Sequence, residues 1–372
     1  MQSLEPLDFI LFLGINQGVF LAITFQFIKN KNKSANNILS LLLLIAVIML
    51  IGRMIFMRYI TAELFRWTLL IDAVIFIFGP LCHIYFRRLA TIEDKYFKLP
   101  WKHYVPFILQ VSFAIGTMIV PLEIFVEKSK QGFFLPFYKL IEAAGILSNG
   151  YYWYLNTRLL IKYRKLEKEN VSYKQGLLVF LRYFQISLGI LIGLWSLSFL
   201  SLYIFKFSLE PLNYDWLWTG ISSFIFIIGY YSLKEPELFR ISMIKEKKYT
   251  DRLPQSEVFS IENRLDHLMA LDKVFLQSNL TLSDLSEKLN TSTHKLSWYL
   301  NNVKGCSFYD YINKLRVKEF LRRIEQGEHI HHTILAIAMD SGFNSKSTFN
   351  KVFKMEMNDS PSDYIKKNQE VA

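Results

Sequence analysis

The strongest constraint in this sequence is a change of solvent along the chain. Up to about residue 233 it consists of apolar runs separated by short clusters of charge, and beyond that point it mixes polar and apolar residues as water-soluble domains do. A run of about 20 apolar residues, rising 1.5 Å per residue in a helix, matches the roughly 30 Å hydrocarbon thickness of a bilayer. Lipid cannot satisfy a bare backbone, so helices are the form such runs take. The turn-punctuated alternation of a membrane barrel is absent. Charged residues make up only 20% of the chain, against about a quarter in soluble proteins, so a wholly soluble protein is disfavoured.

Seven spans are predicted, at Asp8–Ile28, Asn37–Met57, Leu64–Phe86, Tyr104–Phe125, Leu135–Leu160, Leu177–Phe205 and Asp215–Leu233. Asp72 and Glu142 interrupt the third and fifth. Lys and Arg concentrate in alternate loops: Lys29, Lys31 and Lys33; Arg87, Arg88, Lys95, Lys98 and Lys102; Arg158, Lys162, Arg164, Lys165, Lys168 and Lys174. Basic loops stay in the cytoplasm. The N-terminus is therefore expected outside, and seven crossings bring the C-terminus to the cytoplasm. Glu5 and Asp8 stand where a cleavable signal peptide would have a basic region.

Polar residues within the spans include Asn16, Gln17, Asp72, His83, Glu142, Asn149 and Gln185. They either hydrogen-bond between helices or respond to a signal, since intramembrane ionisable groups are costly and often functional. Asp72 and Glu142 are the first candidates for sensing. Cys82 and Cys306 lie one in each half, so no disulfide framework is expected. No metal-ligand spacing and no nucleophile–base constellation is present, so neither an enzyme nor a metal or cofactor site is expected.

The predicted organisation is a membrane domain over residues 1–235, a linker and amphipathic helix over 236–279, and a soluble domain over 280–372. In the linker, Lys245, Lys247 and Lys248 either touch anionic lipid or form a solvated tether. From Ser256, Ile261, Leu265, Leu268 and Met269 recur at helical spacing. That helix either mediates dimerisation or covers the domain behind it.

The soluble domain reads as two helix-turn-helix units. In the first, Ser283 is a candidate cap, Leu282, Leu285 and Leu289 form a buried stripe, and Ser292 caps a second helix. On that second helix Leu296, Leu300 and Val303 face inward, leaving His294, Ser297, Trp298 and Asn301 outward. A long helix, Phe308–Ile324, follows, with Arg316, Lys318, Arg322 and Arg323 giving it positive charge. In the second unit Thr333 starts a helix, Gly342 ends it at a predicted positive φ, and Ser345 caps the next helix. Phe349, Val352 and Phe353 are buried there, while Lys346, Ser347, Asn350 and Lys351 face out.

These residues resemble the AraC/XylS family of bacterial transcription regulators. The resemblance covers about a hundred C-terminal residues. It is carried by Leu282, Leu285, Leu289, Ser292, Leu296, Gly305, Phe308, Tyr311, Ile312 and Arg316 in the first unit. In the second it is carried by Ile337, Ala338, Gly342, Phe343, Ser345, Ser347, Phe349, Phe353, Lys354, Pro361 and Tyr364. Asn358 stands where the family usually has Gly, and Asn tolerates the left-handed conformation required there. Ile365 stands where the family often has Arg, so one phosphate contact is either missing or moved to Lys366 or Lys367.

The resemblance implies a tandem reader of successive major grooves, with base contacts at His294, Ser297, Trp298, Lys346, Ser347 and Lys351. Trp298 is open to three roles: wedge, thymine-methyl contact or packing. Phosphate contacts are expected at Lys288, Lys304, Lys354 and Lys366.

The fold class expected is all-α: a bundle of about seven transmembrane helices followed by an all-helical domain with two helix-turn-helix units. The function expected is that of a multi-pass regulator of the bacterial inner membrane. Its expected partners are promoter DNA, the lipid bilayer, RNA polymerase, a second copy in a homodimer and an unidentified small-molecule or envelope signal. The competing reading is a transporter- or receptor-like protein with a regulatory C-terminal domain. The absence of an internal repeat or paired broken helices among the spans weighs against transport.

Overall fold

The computed structural model describes residues 5–27, 32–59, 61–90, 96–173, 176–205, 214–234 and 253–371. Ile28 of the first expected span and Lys245, Lys247 and Lys248 of the linker lie outside these residues. The described elements are helical, and an isolated bridge pairs Val171 with Thr281. The chain forms two compact units, one drawn from Met1–Ile161 and Gly176–Lys245, the other from Lys162–Gln175 and Glu246–Ala372.

The first unit contains α1 (Pro6–Phe27), α2 (Lys33–Tyr59), α3 (Ala62–Asp72), α4 (Ile75–Ala90), α5 (Val105–Ile119), α6 (Leu122–Lys130), most of α7 (Leu135–Asn170), α8 (Gly176–Leu200) and α9 (Tyr214–Lys234). Thr61 starts α3, its hydroxyl accepting from the Leu64 amide at 3.2 Å. Helix α8 ends in a π turn, Ser201–Phe205. Helix α1 packs against α2 and α9. Gly14 and Gly18 permit the close approach, because a Cβ on Gly14 would meet Ser222 Oγ at 2.6 Å and one on Gly18 would meet Val47 at 2.5 Å. The opposite face of α1 exposes Phe9, Phe12, Leu13, Phe20 and Ile23.

Among the described residues four helical segments are long and apolar enough to cross a membrane: Pro6–Phe27, Lys33–Phe56, Ala62–Ala90 and Gly176–Phe205. A bent pair, Trp101–Ile119 with Leu122–Lys130, makes a fifth if it counts as one span. The expected seven are therefore reduced. The fourth is not a straight span: Pro121 interrupts it and the two pieces meet at 111°. The fifth and seventh are helices, α7 and α9, that are not among these segments. Lys139, Glu142, Asn149 and Arg158 dilute the apolar character of α7.

The second unit contains the last turns of α7 with the segment after it, then α10 (Gln255–Ala270), α11 (Leu282–Lys288), α12 (Thr293–Asn302), α13 (Phe308–Glu325), α14 (Ile334–Asp340), α15 (Lys346–Met357) and α16 (Pro361–Val371). It has two cores. In the first, Ile261, Leu265 and Met269 of α10 pack with Leu285, Leu296, Tyr299, Leu300 and Ile312. Helix α10 therefore covers the domain behind it. In the second, Val317, Phe320 and Ile324 of α13 pack with Ile337, Phe343, Phe349 and Phe353. Helix α13 is the wall the two cores share.

Local sequence explains the helix ends. Ser292, Ser307, Thr333 and Ser345 cap α12, α13, α14 and α15. Thr281, not Ser283, caps α11, because Asp284 three residues on completes a reciprocal capping box with it. Helix α10 begins one residue before Ser256, behind Pro254.

Arg316 departs most from expectation. Read in sequence as surface charge, it is 0% exposed. Its guanidinium donates to the backbone carbonyls of Phe275 (2.8 Å), Gln277 (2.6 Å) and Ser172 (3.1 Å), and to the Ser172 hydroxyl (3.1 Å). Asn313 donates to the same Ser172 carbonyl at 2.9 Å, and Ser172 donates through both its amide and its hydroxyl to Leu280. Burial lowers the Arg316 pKa to about 10, which leaves it charged at neutral pH.

Candidate nucleic-acid interface

Each helix-turn-helix unit presents one outward helix, α12 and α15. On α12 the buried stripe is Leu296, Tyr299 and Leu300, so the opposite side carries His294, Trp298, Asn301 and Asn302. His294 and Trp298 are partly exposed, as a groove-facing role requires. Two assignments change. Ser297, expected outward, is only 4% exposed: it sits on the flank of the stripe, beneath Asn301, whose amide donates to its carbonyl at 2.9 Å. Val303, expected inward, is 43% exposed, and Tyr299 fills the core position in its place. Asn302 joins the outward face, which a helical projection of 294, 298, 301 and 302 would have indicated.

On α15 the lining of the outward face is as expected. Lys346, Ser347, Asn350, Lys351 and Lys354 are exposed, and Thr348, Phe349, Val352 and Phe353 are buried. Gly342 at φ +94° and Asn358 at φ +56° bracket this helix with its turn, both in the left-handed region predicted for them.

The cations of the two units differ in their surroundings. Lys295 pairs with Glu257 at 2.8 Å and Lys304 with Glu262 at 2.8 Å, both acids belonging to α10. The Glu262 partnership, with the nearby Tyr299 hydroxyl, raises the Lys304 pKa above the ordinary lysine range. Lys304 is thus paired with α10, and a phosphate would compete with Glu262 for it. Lys288, Lys354 and Lys366 are exposed. The α10 acids and Lys295 had no signal in the local helix-turn-helix pattern, since their meeting depends on how α10 docks.

Behind the interface, Arg322 and Arg323 are turned to structural use. Glu319, nearly buried, accepts from Arg322 (2.6 Å), Arg323 (3.3 Å) and Lys273 (3.2 Å). The hydrogen bond from Arg322 leads in holding its pKa down at about 2, below the ordinary 4.5. A depressed carboxylate stabilises the fold above its unfolded pKa and loses that contribution as pH falls through its folded one. The stability gap between the wild type and Glu319→Gln is therefore expected to be full at neutral pH and to close between about pH 4.5 and pH 2. Denaturant titrations of both proteins across that range check it.

Comparison with known proteins places these helices. Residues 285–367, from within α11 into α16, match a family described as helix-turn-helix domain. The chain is 27% identical over 105 residues to the Proteus vulgaris protein named Probable transcription factor PqrA, which covers 28% of this chain and 84% of that protein. It is 31% identical over 120 residues to the TCP pilus virulence regulatory protein of Vibrio cholerae serotype O1, which covers 32% of this chain and 41% of that protein. No solved structure matches the chain. The C-terminal region is thus a helix-turn-helix domain of the kind found in DNA-binding transcription regulators.

Proposed function

We propose that the chain is a membrane-embedded one-component transcription regulator of the AraC/XylS type. The observation that carries the reading is the tandem: two outward helices, α12 and α15, each capped by serine and each backed by its own core on the shared helix α13. Such a pair suits successive major grooves on one face of DNA. His294 and Trp298 read bases from α12, and Lys346, Ser347 and Lys351 read them from α15. Lysine donates to guanine edges. Lys288, Lys354 and Lys366 contact phosphates, joined by Lys304 where a phosphate competes with Glu262 for it.

Membrane embedding is supported by the four or five apolar helical segments and by the bulky apolar side chains that the first unit turns outward. In this reading α7 and α9 cross as well, which restores seven crossings with the N-terminus outside. At 36 residues α7 is long enough to do so. The DNA-binding domain then lies in the cytoplasm, acts as a homodimer at promoters and meets RNA polymerase there. The signal is read in the membrane unit, with Asp72 and Glu142 as its responsive groups.

The test is chromatin occupancy of the tagged full-length protein together with its fractionation. The protein is expected in the membrane fraction and at a small set of promoters. Replacing Lys346 and Lys351 together with Ala should weaken specific binding about 100-fold and reduce the salt dependence of binding, since each lysine lost near phosphate releases fewer counterions. Uniform occupancy of the chromosome, or binding unchanged by the double substitution, would sink the reading.

A further inference from the structure

The first unit contains a half-open cavity of about 660 Å³, a size that accommodates a small organic ligand. Its wall is mostly apolar and aromatic, but polar groups reach it from five helices: Arg53 on α2, Asp72 on α3, Gln110 on α5, Glu142 on α7 and Asp215 on α9. The charges do not balance. Arg53 and Asp215 neutralise each other at 2.8 Å. Glu142 accepts from the Trp195 indole at 2.9 Å and from the Tyr214 hydroxyl, two neutral donors that both reach Oε1 and do not cancel its charge. Asp72 lines the cavity with its side chain exposed. Among the described residues no cation pairs with either carboxylate, and the nearby Lys139 lies instead over the Tyr203 ring at 5.2 Å.

A second observation points the same way. Gln110 is 3% exposed and donates its amide N–H to the Leu69 carbonyl at 3.2 Å, but its own carbonyl oxygen has no donor. A buried acceptor without a donor is costly, and this one sits on the cavity wall. Backbone geometry adds to it. The π turn at Ser201–Phe205 brings Leu202 and Tyr203 to the same wall, and π turns frequently mark functional sites. Trp195, Trp218 and Tyr214 add ring faces that attract cations.

We propose that this cavity binds an organic cation, a protonated or quaternary amine (or equivalent onium centre) on a bulky apolar body, with Asp72 and Glu142 as its counter-charges. The proposal deepens, and rests on, the reading of the membrane unit as the sensor. Its charged head takes the carboxylates and the Gln110 oxygen, and its apolar body takes the remaining wall.

The test uses the full-length protein in detergent and two probes of the same shape and opposite charge, tetraphenylphosphonium and tetraphenylborate. The phosphonium should raise the thermal midpoint in a saturable way and the borate should not. Asp72→Asn and Glu142→Gln should each weaken phosphonium binding at least about tenfold. Equal responses to the two probes in the wild-type protein overturn the proposal, and that comparison does not depend on any variant folding. Unchanged affinity in both folded variants also overturns it. Promoter occupancy in cells separates the two readings. Selective, Asp72-dependent phosphonium binding that leaves occupancy unchanged sustains the site and sinks the sensor. Occupancy that responds to a stimulus through Asp72, with no selective cation binding, sinks the site and leaves the sensor standing.

Discussion

Replacing Arg316 with Met is expected to destabilise the second unit by about 3 kcal/mol and to abolish DNA binding. The guanidinium is buried, and it ties together the carbonyls of Phe275 and Gln277 with the carbonyl and hydroxyl of Ser172. Hydrogen bonds from a charged donor are each worth about 1.5–3 kcal/mol, and removing the donor leaves the buried acceptors unsatisfied. Some of that loss is recovered as the site relaxes, so about 3 kcal/mol is the expected net cost. Lysine should not rescue it, because a single ammonium cannot spread its donors over acceptors from two separate chain segments as a planar fork does. Chemical denaturation followed by hydrogen exchange in α13 measures the effect. A loss under about 1 kcal/mol would mean that the acceptors find water or other donors.

Gly342→Val should be as damaging by a different route. Gly342 holds φ at +94°, a conformation that costs a side-chain-bearing residue about 1–2 kcal/mol. A Cβ there would also lie 2.7 Å from the Phe275 carbonyl oxygen, 2.9 Å from Leu276 Cα and 3.0 Å from Arg316 Nε. Two of those neighbours are backbone and cannot swing away. The combined cost is expected to exceed about 3 kcal/mol. It falls between α14 and α15, so the second helix-turn-helix unit loses its geometry first. Asn358→Gly is the matching control: its φ of +56° already suits glycine, and stability should change little. Thermal unfolding of the three proteins side by side decides the point. If the valine variant melted with the wild type, the turn would have to be rebuilt at no cost.

These two positions also mark how far the sequence could be read. Gly342 and Asn358 were legible, because a turn residue between two apolar-periodic segments has a local physical reason to be there. Ser292 and Ser345 were legible as caps on the same ground. Arg316 was not. On a helix, an arginine between apolar positions reads as surface charge, and what buries it is Ser172, far away in sequence. Ser297 and Val303 were misassigned because a helical stripe has flanks, and which flank is covered depends on the neighbouring element. The membrane half was legible as apolar helices. The number of crossings was less so, because α7 mixes tyrosine, tryptophan and charge with its apolar residues, and because Pro121 bends one expected span sharply. The groups around Asp72 and Glu142 were legible as anomalies, but the open Gln110 oxygen beside them required three dimensions.

The Ser172 ligands have a further consequence. A C-terminal fragment cut anywhere between residues 175 and 253 would leave Arg316 without two of its acceptors and Asn313 without one. On the membrane-bound reading, liberation by a protease is then a poor way to switch this protein on. The intact chain must do its work while anchored, so the gene has to visit the envelope rather than wait for a messenger to diffuse to it.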